Sequence, residues 1–102
     1  MSDKYILDER GEAVLVGDVM TWGRWFQTAD RQIALDAIGD SEVSTVFLGL
    51  DHRFGDGPPV LFETMVFGGP LAGEQERYST RDEALAGHQR IVEQVRAAIA
   101  NV

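Results

Sequence analysis

The central stretch of the sequence is VLFETMVF, at residues 60–67. It is rich in β-branched and aromatic residues, and it is apolar at odd and even positions alike apart from Glu63 and Thr64. A strand with this pattern is typically buried on both faces. We therefore predict a strand here that lies near the centre of a sheet.

On the C-terminal side of this stretch, a glycine-rich connection at residues 68–73 leads to a short predicted strand around residues 76–78. Ser79 and Thr80 each precede an acidic residue by three positions, a spacing typical of the capping box that begins a helix. Residues on one helical stripe then predict a helix from residue 81 to about residue 100: Ala84, Leu85, His88, Ile91, Val92, Val95 and Ile99.

On the N-terminal side, the apolar runs at residues 5–7 and 13–16 flank a polar turn and predict a small hairpin. Asp18 is the expected N-cap of a short helix over residues 19–28, whose apolar stripe includes Trp22 and Phe26. The hairpin and this helix form the predicted N-terminal third of the chain.

The next two segments are predicted to be paired strands. Residues 31–38 fit strand alternation and one helical face equally well. We favour a strand, because turn residues at 39–41 lead directly to a clear strand at residues 43–50. The whole pattern predicts an α+β fold, with a mostly antiparallel sheet, the long C-terminal helix on one face and the short tryptophan helix near the other face or at an edge.

Length and composition limit the classes of protein to consider. A chain of 102 residues is long enough for one core, so we expect a single domain over residues 1–102. The net charge of −8 disfavours phosphate backbones as partners, and the absence of cysteine excludes disulfides and thiolate metal sites. No apolar run is long enough to span a membrane, and residues 1–5 do not resemble a secretory signal. We expect a cytoplasmic location without membrane contact.

A resemblance covers most of the chain. Residues 44–69, STVFLGLDHRFGDGPPVLFETMVFGG, resemble a family of short bacteriophage and prophage proteins. The similarity continues through residues 22–26, 77–80 and 83–88, and it is least in the N-terminal hairpin. The resemblance implies a phage or prophage setting in a bacterial host cell, and it implies no reaction and no catalytic residue.

The loop at residues 51–59 is the first candidate site, because it places Asp51, His52 and Arg53 in a connection longer than a tight turn needs. Asp51 and His52 are neighbours, so their side chains would point to opposite faces of an extended strand and an Asp-to-His bond is hard to form. The simpler interpretation is a turn at residues 56–57, followed by prolines that stiffen entry into the next strand.

His88 and Glu63 are the two ionisable residues at positions predicted to be buried. We expect the C-terminal helix to lie across the central strand, with Glu63 paired to His88 or to an arginine. The alternative is a metal or acid–base site formed by His52, Glu63 and His88, with Asp51 as a further member. Its spacing matches no compact metal motif.

Trp22, Trp25 and Phe26 place three large aromatic side chains in one helical turn. Trp22 and Phe26 are predicted to pack in the core. Trp25 lies at the edge of the stripe, where together with Arg24 and Trp22 it is a candidate anchor for a partner protein.

Two functions from different classes remain. The favoured prediction is a non-enzymatic accessory protein of phage type that acts by binding a protein partner or by self-association, with a basic host protein as the partner that its charge suits. The alternative is a small metal-binding or hydrolytic enzyme that uses His52, Glu63 and His88. We expect no cofactor.

Overall fold

The computed structural model describes residues 3–101. Every element predicted from the sequence is present, and the ambiguous segment at residues 31–38 forms a strand as favoured. The elements in chain order are β1 (Lys4–Leu7), β2 (Ala13–Val16), α1 (Val19–Thr28), β3 (Gln32–Ile38), β4 (Ser41–Phe47), β5 (Phe62–Phe67), β6 (Gln75–Tyr78) and α2 (Arg81–Ala100).

The strands form two antiparallel sheets. β1 pairs with β2, and the larger sheet has the order β3-β4-β5-β6, in which each strand pairs with the next along the chain. The predicted α+β fold is therefore confirmed, and β5 occupies one of the two central positions. In the central pair, Thr45 of β4 lies opposite Thr64 of β5.

Both central strands are shorter than predicted, each for a local reason. β4 ends at Phe47, because the backbone at Gly49 turns with a φ of +79° and Leu50 then bridges to Lys4 of β1. β5 begins at Phe62 rather than at residue 60, since the Val60 N–H donates to the Asp51 carboxylate at 2.9 Å. The connection at residues 51–60 is thus closed by the Asp51 side chain together with a backbone hydrogen bond from the His52 N–H to the Val60 carbonyl at 2.9 Å.

The long helix α2 packs across one face of the larger sheet and contacts all four of its strands. It begins with the predicted capping box, in which Glu83 N–H donates to the Thr80 hydroxyl and the Glu83 carboxylate accepts from the Thr80 N–H. The approach is close at Gly87, where an added Cβ would lie 2.2–2.4 Å from the Tyr78 ring and hydroxyl. Among residues 3–101, no helix is long and apolar enough to cross a membrane.

Two apolar clusters hold the helix to the sheet. The first joins both central strands to the second half of the helix: Val43, Val66, Ile91, Val92 and Val95. The second lies at the other end of the sheet: Phe47, Leu61, Phe62, Tyr78 and Ala84. Trp25 and residues of the β1–β2 hairpin pack against the second cluster, which ties the N-terminal elements to the core.

The short helix α1 lies beside the hairpin rather than over the sheet. Its N-cap is Asp18 as predicted, and its contacts are with β1, β2 and the chain after β4, where the Trp22 indole N–H donates to the Gly49 carbonyl at 2.9 Å. The prediction that β5 is buried on both faces is wrong for the face opposite α2. There Glu63 and Met65 are half-buried and Phe67 is exposed, because no element within residues 3–101 covers this side of the strand.

Candidate functional site

The most distinctive surface is the side of the larger sheet that faces away from α2. We call it the open face. Because side chains alternate along a strand, the residues between the buried positions of β4 and β5, with their partners on β3 and β6, share this side. The open face comprises Leu35, Ala37, Glu42, Ser44, Val46, Glu63, Met65, Phe67, Gln75 and Arg77.

Half of the open face is apolar. Leu35 is 53% exposed and Phe67 is 51% exposed. Leu35 lies opposite Ser44, whose other neighbour is Met65, and the Gln32 side-chain amide donates to the Ser44 hydroxyl at 3.1 Å. Exposed apolar groups rimmed by polar ones are typical of protein-binding surfaces.

A polar cluster borders this apolar area on the β6 side. The Glu63 carboxylate accepts from Arg77 Nε at 2.9 Å and from Gln75 Nε2 at 2.7 Å. Glu63 therefore pairs with an arginine, one of the two outcomes predicted for it. This ion pair lies at the edge of the open face. It neutralises most of the Glu63 charge, so Glu63 has little charge left for binding a ligand.

A free carboxylate lies at the Phe67 end of the open face. Glu42 lies directly opposite Phe67. Within residues 3–101, the Glu42 carboxylate forms no ion pair. This end of the face therefore suits a basic partner.

A buried chain of hydrogen bonds lies behind the open face, between the sheet and α2. His88 Nε2 lies 2.7 Å from Asp36 Oδ2, and His88 Nδ1 lies 2.7 Å from the Thr45 hydroxyl. That hydroxyl lies 2.5 Å from the hydroxyl of Thr64, which accepts from the Tyr78 hydroxyl at 3.0 Å. Every member is thus satisfied, as a polar group in an apolar core must be.

When the His88 imidazole is neutral, each hydrogen bond in this network is donated in the same direction, from Tyr78 towards Asp36. The Asp36 carboxylate accepts the His88 Nε2–H, which leaves Nδ1 to accept from Thr45. Thr45 in turn accepts from Thr64, and Thr64 from Tyr78. Burial of the Tyr78 hydroxyl raises the pKa of Tyr78, against the opposing effect of its hydrogen bond to Thr64, so this end of the chain stays a donor.

The order Asp36, His88, Thr45 is that of a nucleophile triad, yet the arrangement is a structural one. Thr45 is 0% exposed, so no substrate carbonyl can reach its hydroxyl. The network instead specifies how α2 lies on the sheet, since each partner is on a different element. Sequence reasoning identified His88 as a buried histidine in need of a partner and missed Asp36, because strand pairing of residues 31–38 was itself ambiguous.

The predicted metal or acid–base residues lie in three different places. His88 is on the α2 side of the sheet, Glu63 points to the open face, and His52 is exposed on the loop after β4. Across the described part of the chain, no three His, Asp or Glu side chains are grouped so that they could hold a metal ion. The structure brings neither Glu63 nor His52 to His88.

Asp51 closes the loop at residues 51–60. Its buried carboxylate accepts the N–H groups of Arg53 at 2.7 Å and Val60 at 2.9 Å, while His52 stays exposed. Burial raises the pKa of Asp51, but the two backbone N–H groups and the Arg53 charge together outweigh it, and the net pKa is lowered. Asp51 thus holds the two ends of the loop together and is not a partner of His52.

Because these hydrogen bonds need the ionised Asp51 carboxylate, we predict that the stability of the fold depends on pH in the acid range. A carboxylate whose folded pKa is lowered stabilises the fold above its unfolded pKa, and the contribution is lost as pH falls through the folded pKa. We expect Asp51→Asn to cost about 1 kcal/mol at neutral pH and progressively less below about pH 4, in urea unfolding at a series of pH values. Asp56→Asn, in the same loop, is the control and should change little at any pH. A cost at Asp51 that is independent of pH would contradict the role of the charge.

The aromatic helix is held in place more firmly than a free anchor would be. Trp22 stacks on Phe26 with ring centroids 4.7 Å apart, and Trp25 packs edge-on against Phe47 at 5.7 Å. All three α1 aromatics are half-buried, whereas Arg24 is exposed. Trp25 packs against the second core cluster, whereas Trp22 and Phe26 belong to neither cluster, so the prediction that Trp22 and Phe26 pack in the core is wrong.

Four further apolar side chains near the start of α1 are exposed by about 43–63% of their surface: Val14, Leu15, Val19 and Met20. The loop at residues 51–59 adds the fully exposed Phe54. These positions provide matched controls for the open face, because they have similar exposure and chemistry in other places.

The fold and these surfaces define an α+β protein with one sheet face covered by a helix and the other uncovered. No protein-family model matches the chain, and no curated protein or solved structure is significantly similar to it.

Proposed function

We propose that this chain is a non-enzymatic accessory protein of phage or prophage type that binds a basic protein partner through the open face. The observation that carries the proposal is that the sequence of β5 and its exposure in the structure disagree. Its sequence is apolar on both sides, as in a strand buried on both faces, yet Phe67 on the open face is half exposed. A partner seated on this face would complete the burial that the sequence indicates.

Charge supports a basic partner rather than a second copy. Each chain has a net charge of −8, so two copies repel each other at long range. The carboxylate of Glu42 lies at the apolar end of the open face without a partner of its own among residues 3–101. A lysine- or arginine-bearing segment with apolar side chains would contact both features at once.

The phage setting rests on the resemblance of residues 44–69 and gives the experiment its source of partners. Tagged wild-type protein should capture a stoichiometric basic protein from a bacterial host lysate at low salt and release it at high salt. Phe67→Asp should lower the affinity for that protein by at least about tenfold, because it removes an apolar contact and places a charge on the surface.

Phe54→Asp is the matched control, since it makes the same substitution at a fully exposed phenylalanine of the loop. It should capture the partner as wild type does. Equal capture by wild type and Phe67→Asp would contradict the proposal, and so would loss of capture in Phe54→Asp. A dimer in sedimentation velocity that Phe67→Asp abolishes would identify a second copy as the occupant and overturn the basic partner.

A further inference from the structure

A cleft of about 460 Å³ lies at the junction of the hairpin turn, α1, β3 and α2. Trp25, Leu7 and Ile33 supply apolar walls, and Arg81, at the start of α2, supplies a guanidinium. The cleft is wide and open to solvent, so only part of a small ligand would be covered. An aromatic wall beside a cationic group is suited to a ligand with one apolar and one anionic part.

The Arg81 side chain reaches across to the hairpin turn because residue 11 is glycine. Gly11 has a φ of +79°, and a Cβ added there would lie 2.8 Å from Arg81 Nη1 and 3.1 Å from Cζ. The guanidinium therefore occupies the space that any other side chain at residue 11 would require. This packing holds Arg81 on the wall of the cleft instead of leaving it to move freely in solvent.

The cleft has donors that no protein acceptor uses. Within residues 3–101, the guanidinium groups of Arg81 and Arg10 form neither a hydrogen bond nor an ion pair. The indole N–H of Trp25 also has no acceptor in this part of the chain, whereas that of Trp22 donates to Gly49.

The acidic groups that line the cleft keep part of their accepting capacity. Asp8 Oδ1 accepts the N–H groups of Arg10 at 2.8 Å and Glu12 at 2.9 Å, and Asp30 Oδ1 accepts the Gln32 N–H at 3.0 Å. The second oxygens of Asp8 and Asp30 and both oxygens of Glu9 have no hydrogen bond among the described residues. None of these carboxylates bonds Arg81, so its guanidinium is available to a ligand with acceptors.

We infer that this cleft binds a monocarboxylate with an apolar body, in which the carboxylate accepts from Arg81 and the body lies against Trp25. A planar guanidinium donates two parallel hydrogen bonds to a carboxylate. A singly charged ligand fits better than a phosphate, because Asp8, Glu9 and Asp30 line the same cleft and the chain has a net charge of −8. A free small acid and the C-terminus of a peptide both present this chemistry.

The inference is tested by following the Trp25 indole N–H and the Gly11 amide in ¹H–¹⁵N NMR spectra. The first titrant is 3-phenylpropanoate, and its control is the uncharged 3-phenylpropanamide. The second is a short peptide that ends in phenylalanine with a free carboxylate, and its control is the same peptide with a C-terminal amide. We expect saturable shifts with at least one free carboxylate and affinity about tenfold lower for its amide. Tighter binding of the peptide than of the small acid identifies a peptide C-terminus as the source, and the reverse identifies a free acid.

Variants of two arginines of α2 separate the cleft from general charge effects. Arg81→Gln should weaken carboxylate binding by about tenfold, while Arg96→Gln, which changes an exposed arginine on the same helix, should leave it unchanged. The indole resonance of Trp22 reports that each variant is folded. No saturable shift with either carboxylate, equal affinity for acid and amide, or equal binding by the Arg81 variant and wild type would each overturn the inference.

Discussion

Replacing Gly87 by alanine is expected to destabilise the fold by about 2–4 kcal/mol in urea unfolding. The new Cβ would lie 2.2–2.4 Å from the ring and hydroxyl of Tyr78, which is buried and bonded to Thr64. Tyr78 cannot move aside without leaving the second core cluster, so α2 must shift away from β6. The effect is large because a single methyl group disturbs both the packing and the polar network.

Gly23→Ala is the matched control, because Gly23 is also helical and an added Cβ there meets nothing within 4 Å. Alanine has the higher helix propensity, so this variant should be more stable than wild type by about 0.5–1 kcal/mol. Opposite signs for the two glycines are the expected result. Stabilisation by Gly87→Ala as well would show that α2 does not approach Tyr78 as closely as described.

Replacing His88 by alanine is expected to cost about 2–4 kcal/mol. The change removes the link between Asp36 and Thr45, opens a cavity under α2 and leaves the Thr45 hydroxyl without its imidazole partner. Thermal or urea unfolding measures the loss directly. The variant should also show faster amide hydrogen exchange in β3, since Asp36 is the contact of that strand with the histidine.

His52→Ala is the control for this prediction, because His52 is exposed and its side chain has no hydrogen bond within residues 3–101. It should change stability by less than about 0.5 kcal/mol. Similar small effects at both histidines would contradict the structural role of the network. Similar large losses of stability at both histidines would indicate that the His52 side chain also helps to hold the loop at residues 51–60.

Local sequence signals were sufficient to predict most of the fold. The α2 boundaries followed from the Thr80–Glu83 box and the apolar spacing, and α1 followed from Asp18 and its stripe. Strand ends were less predictable, because they depend on distant contacts. The Val60 N–H is taken by Asp51, and Leu50 bridges to Lys4, and neither contact leaves a pattern in the neighbouring residues.

The candidate site was predictable only in part. Alternation identified both apolar sides of β5, but no local pattern shows whether an element of the same chain will cover the second side. The sequence also indicated that Glu63 and His88 each need a partner. It could not assign Arg77 to the first and Asp36 to the second, since those pairings depend on the register of strands far apart in the chain.

Hydroxyl-radical footprinting of the complex captured from host lysate tests the binding surface most directly. Met65 and Phe67 lie on the open face, whereas Met20 and Phe54 are their counterparts on other surfaces. Partner binding should slow the oxidation of Met65 and Phe67 and leave the rates of Met20 and Phe54 unchanged. Protection of Met20 or Phe54, with Met65 and Phe67 as reactive as in the free protein, would contradict binding through the open face.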